Sequence, residues 1–326
     1  METITRKILM EEFTAWDKLV MSSPQASIFH TSAWNQMLYE TTPEKREWVQ
    51  LVCERDGVFL GGIALHTPYI KSKRQTSIPI LGYNGPILSA DINYQEPYKT
   101  VPGYEVILEL LKNIQSLTNQ IIIQNQPEIW DVRAYAYNGW KINTNYTHIL
   151  PCSSSDTIWE KIDTTLKEKI LTDQYSIKTD FRDSQIQKFS LYASQNSAPA
   201  HIPQALKAEI LKKRIYWMKE KGLCQLVTLS DHNGNELAIT LFILSKENQT
   251  IYMWKTIPLT RALESDILPS LIWQSCLFFE STFQRMDLGM STNMAISNIK
   301  DQIGSNLIPI HTAKCQIDFL HNLHKG

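Results

Sequence analysis

The sequence predicts a mixed α/β protein built from two similar halves, and three observations carry that prediction. The chain has 326 residues, more than one compact core usually needs and enough for two. It is 43% hydrophobic and 20% charged, the balance of a folded chain rather than a disordered one. An apolar hairpin pattern occurs twice, about half the chain apart, and the same order of elements follows it each time.

In the first half, Gln50-Leu51-Val52 leads through Asp56-Gly57 to Leu60-Gly61-Gly62-Ile63-Ala64-Leu65. Two apolar runs around a polar, Gly-containing turn read as a β-hairpin. A third strand-like stretch comes next, then a helix with apolar residues at Ile107, Leu110, Leu111, Ile114 and Leu117, then the apolar strand Ile121-Ile122-Ile123. In the second half, Gln225-Leu226-Val227 leads through Asn233-Gly234-Asn235 to Leu237–Leu241. A strand at Thr250–Trp254 and a helix carrying Ile267, Leu268, Leu271, Ile272, Phe278 and Phe279 follow, then the short strand Met286-Asp287-Leu288 ending at Gly289.

Strand, strand, strand, helix, strand implies a mixed sheet: the hairpins pair antiparallel, and each crossover helix sets its last strand parallel to the preceding one. Ligands in open α/β sheets sit beyond the carboxyl ends of such strands. The positions singled out are therefore 124–128 and 289–300. Residues 1–149 form the first expected domain, with 308–326 packing back on it, and 150–307 form the second.

A formal net charge of -1 leaves no global field to attract nucleic acid or membrane. One local exception is 205–221, where Lys207, Lys212, Lys213, Arg214, Lys219 and Lys221 face only Glu209 and Glu220. A basic helix of this kind reads as a solvated face or as a surface for tRNA phosphates. Five scattered cysteines (Cys53, Cys152, Cys224, Cys276 and Cys315) and eight histidines show no metal-ligand spacing, so reduced thiols and no metal are expected. The polar N-terminus resembles no signal sequence, and no stretch approaches the ~20 apolar residues of a membrane span. A cytoplasmic protein is expected.

Three stretches carry a family resemblance. Asp287-Leu288-Gly289 followed by Ile296-Ser297-Asn298-Ile299-Lys300-Asp301-Gln302-Ile303-Gly304 resembles the closing signature "DFxGs…gi..FK..fG" of the Fem-type (FemABX-like) acyltransferases, tandem members of the GNAT superfamily. Ser23–Trp34 is similar to the family's opening pattern, and Leu81–Leu88 lies where relatives have "y.GPi". The resemblance implies two tandem GNAT-like domains, with the acyl donor held in the second and the acceptor near the junction. It implies transfer of an acyl or aminoacyl group onto an amine of a peptidoglycan or glycan precursor, from charged tRNA or acyl-CoA and with no tightly bound cofactor. No sustained heptad supports the coiled-coil arm of some relatives.

By this resemblance Lys300 is the lysine of the closing signature, a fixed cation suited to a developing oxyanion. Asp287 could orient a donor amine or accept a proton, or bind the backbone of the following loop. Gly289 permits a backbone shape or a close approach. Ser291, Thr292 and Asn293 offer hydrogen bonds to a ligand or a cap to the next helix. Tyr252 and Trp254 would flank the donor or pack as alternating β-formers. Trp34, Tyr83 and Gln126 are the substrate-binding expectations of the first half.

Two departures from the family stand out. Several relatives carry Arg-x-Asp-Pro where this chain has Gln124-Asn125-Gln126-Pro127, and Gln126 cannot take a proton; Glu128 or Asp131 could substitute for it, or no general base is needed if the amine arrives neutral. No cation follows Trp34 within a turn, where relatives bind a pyrophosphate, although Lys71, Lys73 and Arg74 could supply charge from a loop. The departures leave room for a non-catalytic ligand-binding module with a degenerate GNAT site. An acyl-CoA-dependent N-acetyltransferase lacking the usual glycine loop is a further alternative.

Overall fold

The computed structural model describes residues 3–42, 46–70, 73–74, 82–92, 102–117, 120–152, 154–195, 204–259, 264–291 and 293–316. They divide into two compact units, 1–145 with 309–326, and 146–308.

The first unit begins with β1 (Ile4–Lys7), α1 (Phe13–Ser22) and α2 (Ser32–Thr41). Strands β2 (Arg46–Arg55) and β3 (Val58–Ile70) form the expected hairpin, turning where Asp56 and Gly57 both take positive φ. β4 (Lys73–Arg74) pairs with the end of β3, so those two cations belong to a strand rather than a loop; Lys71 lies outside the described residues. β5 (Ile87–Leu88) pairs with Gly61 and Gly62. Then come α3 (Pro102–Gln115), β6 (Gln120–Gln124), α4 (Arg133–Ala136) and β7 (Lys141–Pro151), whose residues from 146 onward belong to the second unit.

Alternation along the hairpin separates two cores. Leu51, Cys53, Ile63 and Leu65 pack with Ile107, Leu110 and Ile114 of α3. Val52 and Ala64 pack with Trp16, Leu19 and Val20 of α1. Gly62 makes room for this second layer, since a Cβ there would lie 2.5 Å from the Trp16 ring.

The second unit contains α5 (Ser155–Lys161), α6 (Thr164–Asp173), β8 (Ser176–Thr179), α7 (Asp183–Ser194) and α8 (Gln204–Glu220). Strands β9 (Cys224–Ser230), β10 (Glu236–Ser245) and β11 (Thr250–Pro258) follow, then α9 (Glu264–Phe279), β12 (Arg285–Asp287) and α10 (Met294–Gln302). In the β9–β10 turn Asp231 Oδ1 accepts from the backbone of Asn233 and Asn235, and Gly234 takes φ +83°. β8, β9, β10 and β11 pair antiparallel in order, and β11 pairs parallel with β12 across the α9 crossover. The other edge of β12 pairs antiparallel with Ile149–Pro151 of β7. Val227, Phe242 and Ile251 pack under Leu268, Leu271 and Ile272 of α9 in one core.

β13 (Asn306–Gln316) ends the described chain and pairs antiparallel with β6 through Thr312–Gln316. The expected element order is present in both units, but the parallel crossover is realised in the second alone among the described residues. β5 is two residues long and pairs with β3, and β6 takes β13 as its partner. Among the described residues no helix is long and apolar enough to cross a membrane, and no group of His, Cys, Asp and Glu could hold a metal ion. All five cysteines are free.

Candidate functional site

The carboxyl end of β12 is where the second unit concentrates buried polar groups. Asp287 is the last residue of the strand and lies beside Tyr252 on the parallel neighbour. Its Oδ1 accepts from Thr147 Oγ1 of β7 at 2.5 Å and from the Gly289 N–H at 2.8 Å. The carboxylate thus ties the strand end to the loop that leaves it, the backbone-binding alternative of the sequence reading. Gly289 takes φ +71°, and a Cβ built there meets nothing within 4 Å. Conformation requires the glycine, not close approach.

Lys300 reaches back from α10 to this loop and is 4% exposed. Its ammonium donates to Leu288 O (2.8 Å), Gly289 O (3.1 Å) and Met290 O (3.2 Å). An ammonium has three protons, and all three carbonyls are backbone. In this structure Lys300 donates to three carbonyls of the loop and fixes its path. Asn293 caps α10, its Oδ1 accepting from Ile296 N at 3.0 Å, so the cap alternative holds for it. Ser291 Oγ is buried with no hydrogen-bond partner among the described residues, which leaves it able to meet a ligand. Thr292 lies outside the described residues.

A histidine absent from the sequence-derived site completes the cluster. His148 of β7 is 1% exposed, and its backbone carbonyl accepts from Leu288 N. Its ring lies 3.1 Å from Ser305 Oγ through Nδ1 and 3.3 Å from Ser297 Oγ through Nε2. Asp301 Oδ1 is 3.3 Å from Nδ1. Burial, then the charge of Lys300, hold the imidazole below its ordinary pKa, while Asp301 pulls the other way. The sequence signal was a polar pair, Thr147-His148, at the head of an otherwise apolar strand end.

Tyr252 is buried, its hydroxyl accepting from Asn248 Nδ2 at 2.9 Å, and Trp254 stands 6.4 Å from the Phe189 ring. Both take the packing alternative. On α8, Arg214 is buried, Lys219 donates to Phe181 O, and Lys221 lies over Trp217.

The first-unit expectations fall in a packed interior. Trp34 and Tyr83 are buried edge-on against Phe29, at 5.0 and 6.0 Å between ring centres. Gly82 sits against the same ring, where a Cβ would approach to 2.5 Å. Gln126 is 1% exposed and donates to Ser27 Oγ. Asn125 beside it donates to His311 O and accepts from Tyr135 OH. Trp34, Tyr83 and Gln126 are thus buried and make internal contacts in this structure. Asp131, the substitute carboxylate, is held below its usual range by hydrogen bonds from Arg133.

No family model matches the sequence, and no curated protein does. Solved structures match over nearly the whole chain at low identity. FemX superposes with a TM-score of 0.64 at 11% identity, covering 95% of this chain and 97% of that one. A tandem GNAT protein from the clavulanic acid biosynthesis pathway gives 0.60 at 11%, covering 97% and 98%. The C-terminal domain (DUF2156) of a candidate lysylphosphatidylglycerol synthetase from Agrobacterium fabrum gives 0.51 at 12%, covering 93% and 91%. By structural likeness alone, the chain shares the fold of FemX and of this tandem GNAT protein.

Proposed function

We propose that the protein is a cytoplasmic acyltransferase that moves an acyl or aminoacyl group onto an amine of a small-molecule or glycan-peptide acceptor of the cell envelope. The observation that carries this reading is the loop after β12, held in one path by the buried Lys300 at the end of a parallel strand pair, within a FemX-like fold. Buried polar groups are expensive unless they are used, and here Asp287, Lys300, His148 and Ser291 converge on one loop. The role assigned to Lys300 and Asp287 is to hold the donor loop in its binding shape. Carbonyls fixed by a cation and an unpartnered serine hydroxyl suit an acyl donor that carries its own amide or ammonium donors.

The donor is either charged tRNA or acyl-CoA, and α8 is the basic surface available to the first. A donor screen offering each with a panel of amines, read by mass spectrometry of the acceptor, tests the reading. Product from either donor supports transfer. Tight binding of a donor with no product from any amine supports the non-catalytic alternative instead.

A further inference from the structure

The hydrogen bonds around His148 fix its tautomer. Ser305 Oγ donates its proton to Lys300 O at 2.7 Å, so toward His148 Nδ1 it can only accept. The ring proton therefore sits on Nδ1, shared between Ser305 Oγ and the Asp301 carboxylate 3.3 Å away. Nε2 is left with its lone pair, facing Ser297 Oγ at 3.3 Å, and the serine must be the donor. Ser297 and Asp301 are four residues apart on α10, hence on one helix face, and the imidazole of β7 enters between them. Ser297 is partly exposed and the Asp301 side chain 52% exposed, so the buried histidine is reached from solvent through the serine.

We propose that Ser297, His148 and Asp301 form a hydroxyl-activating relay in which Ser297 Oγ accepts an acyl group from an activated ester or thioester. The roles are those of nucleophile, base and orienting carboxylate, recognised by geometry and not by order in the chain. The 3.3 Å spacings are those of an unliganded site whose bonds shorten when substrate arrives. Burial and Lys300 keep the imidazole neutral near pH 7, so the accepting lone pair is present; the charged groups facing the ring are Lys300 and Asp301, both on α10.

The chemistry balances within the relay. Ser297 Oγ bonds to the acyl carbon while its proton passes to His148 Nε2. The donor's C–O or C–S bond then breaks, and the leaving alkoxide or thiolate takes that proton. In the second step an amine attacks the acyl-serine, loses its proton to Nε2, and that proton returns to Ser297 Oγ as the ester bond breaks. The second step rests on the transfer reading above; the first does not.

The test is acylation of the full chain by p-nitrophenyl acetate, followed by p-nitrophenolate release and peptide mass mapping. The expected result is an acetyl group on Ser297 with a burst approaching one equivalent per chain. Ser297→Ala abolishes it, and His148→Gln slows it by about 100-fold. Asp301→Asn slows it less and lowers the pH midpoint of the rate, which in the native chain lies below the ordinary histidine value. Absence of acetyl on Ser297, or an unchanged rate in folded Asp301→Asn and His148→Gln, overturns the relay. Should His148→Gln fail to fold, Ser297→Ala and Asp301→Asn decide it. Acetyl-Ser297 without transfer to any amine would sink the transfer reading and keep the relay. Undiminished amine transfer by Ser297→Ala would keep the transfer reading and overturn the second step, with Ser297 no longer on the transfer route.

Discussion

Replacing Lys300 with methionine keeps the length of the side chain and removes its charge with three donors. Of the three hydrogen bonds lost, the one to Leu288 O is buried and the two longer ones are partly solvated. A buried bond to a charged group contributes about 1.5–3 kcal/mol, and a partly solvated one less. Methionine avoids the desolvation of a buried ammonium, which offsets part of the loss, so a net destabilisation of about 3 kcal/mol is expected. For a domain of this size each kcal/mol lowers the midpoint by about 2–4 °C, so Lys300→Met should melt about 6–12 °C below the native chain. Differential scanning calorimetry on the full chain measures this, with amide exchange at 288–291 as the local readout. An unchanged melting temperature and unchanged exchange, together with lost acyl transfer, would refute the loop-holding role and return Lys300 to the reacting atoms.

Two glycines at similar φ should respond differently. Gly289→Ala meets open space and should cost about 1–2 kcal/mol in urea denaturation, from the left-handed backbone alone. Gly82→Ala adds a clash with the Phe29 ring and should cost at least 1–3 kcal/mol more, so equal losses would contradict the packing described. Asp287→Ala leaves the Thr147 hydroxyl and the Gly289 N–H unpaired and should cost about 2 kcal/mol, whereas Asp287→Asn, which keeps an acceptor oxygen, should cost less than half of that. His30 is buried with its pKa held at about 4 by burial. Because the folded value is depressed below the unfolded 6.5, the stability it contributes is full above pH 6.5 and is lost as pH falls toward 4. That loss is on the order of 3 kcal/mol, and His30→Gln should flatten the pH 4–6.5 limb of the denaturation free energy; a limb of unchanged slope would exclude His30 as its source.

Local order was readable from the sequence because it is written in short-range pattern. The Asp56-Gly57 turn, the apolar face of α3 and the Asn293 cap each depend on residues within a few positions. The site was legible only where a glycine and a polar run interrupted an apolar strand, at Asp287 and Gly289. What escaped was set by long-range pairing. His148 became part of the site because β7 is the neighbour of β12, a register no spacing in the sequence states. The depth of Trp34, Tyr83 and Gln126 was not legible because residue type does not reveal it: an aromatic ring and an amide suit a ligand or an interior equally, and here they lie against Phe29 and Ser27. The parallel crossover expected in the first unit is not realised among the described residues, where β6 instead pairs with a strand almost two hundred residues away.

That pairing has a consequence for the chain as it leaves the ribosome. Residues 146–308 emerge as one uninterrupted segment and can fold once they are out, but the first unit is completed only by residues beyond 308. Until β13 is synthesised, the Ile121-Ile122-Ile123 strand has no strand partner among the described residues, and the edge that β13 will pair is left open. The first unit thus closes after the second, and it waits through the synthesis of an entire domain with an aggregation-prone strand uncovered. Premature termination just before Asn306 would yield a product whose second unit is largely present and whose first unit lacks its final strand, a species that should depend on holdase chaperones.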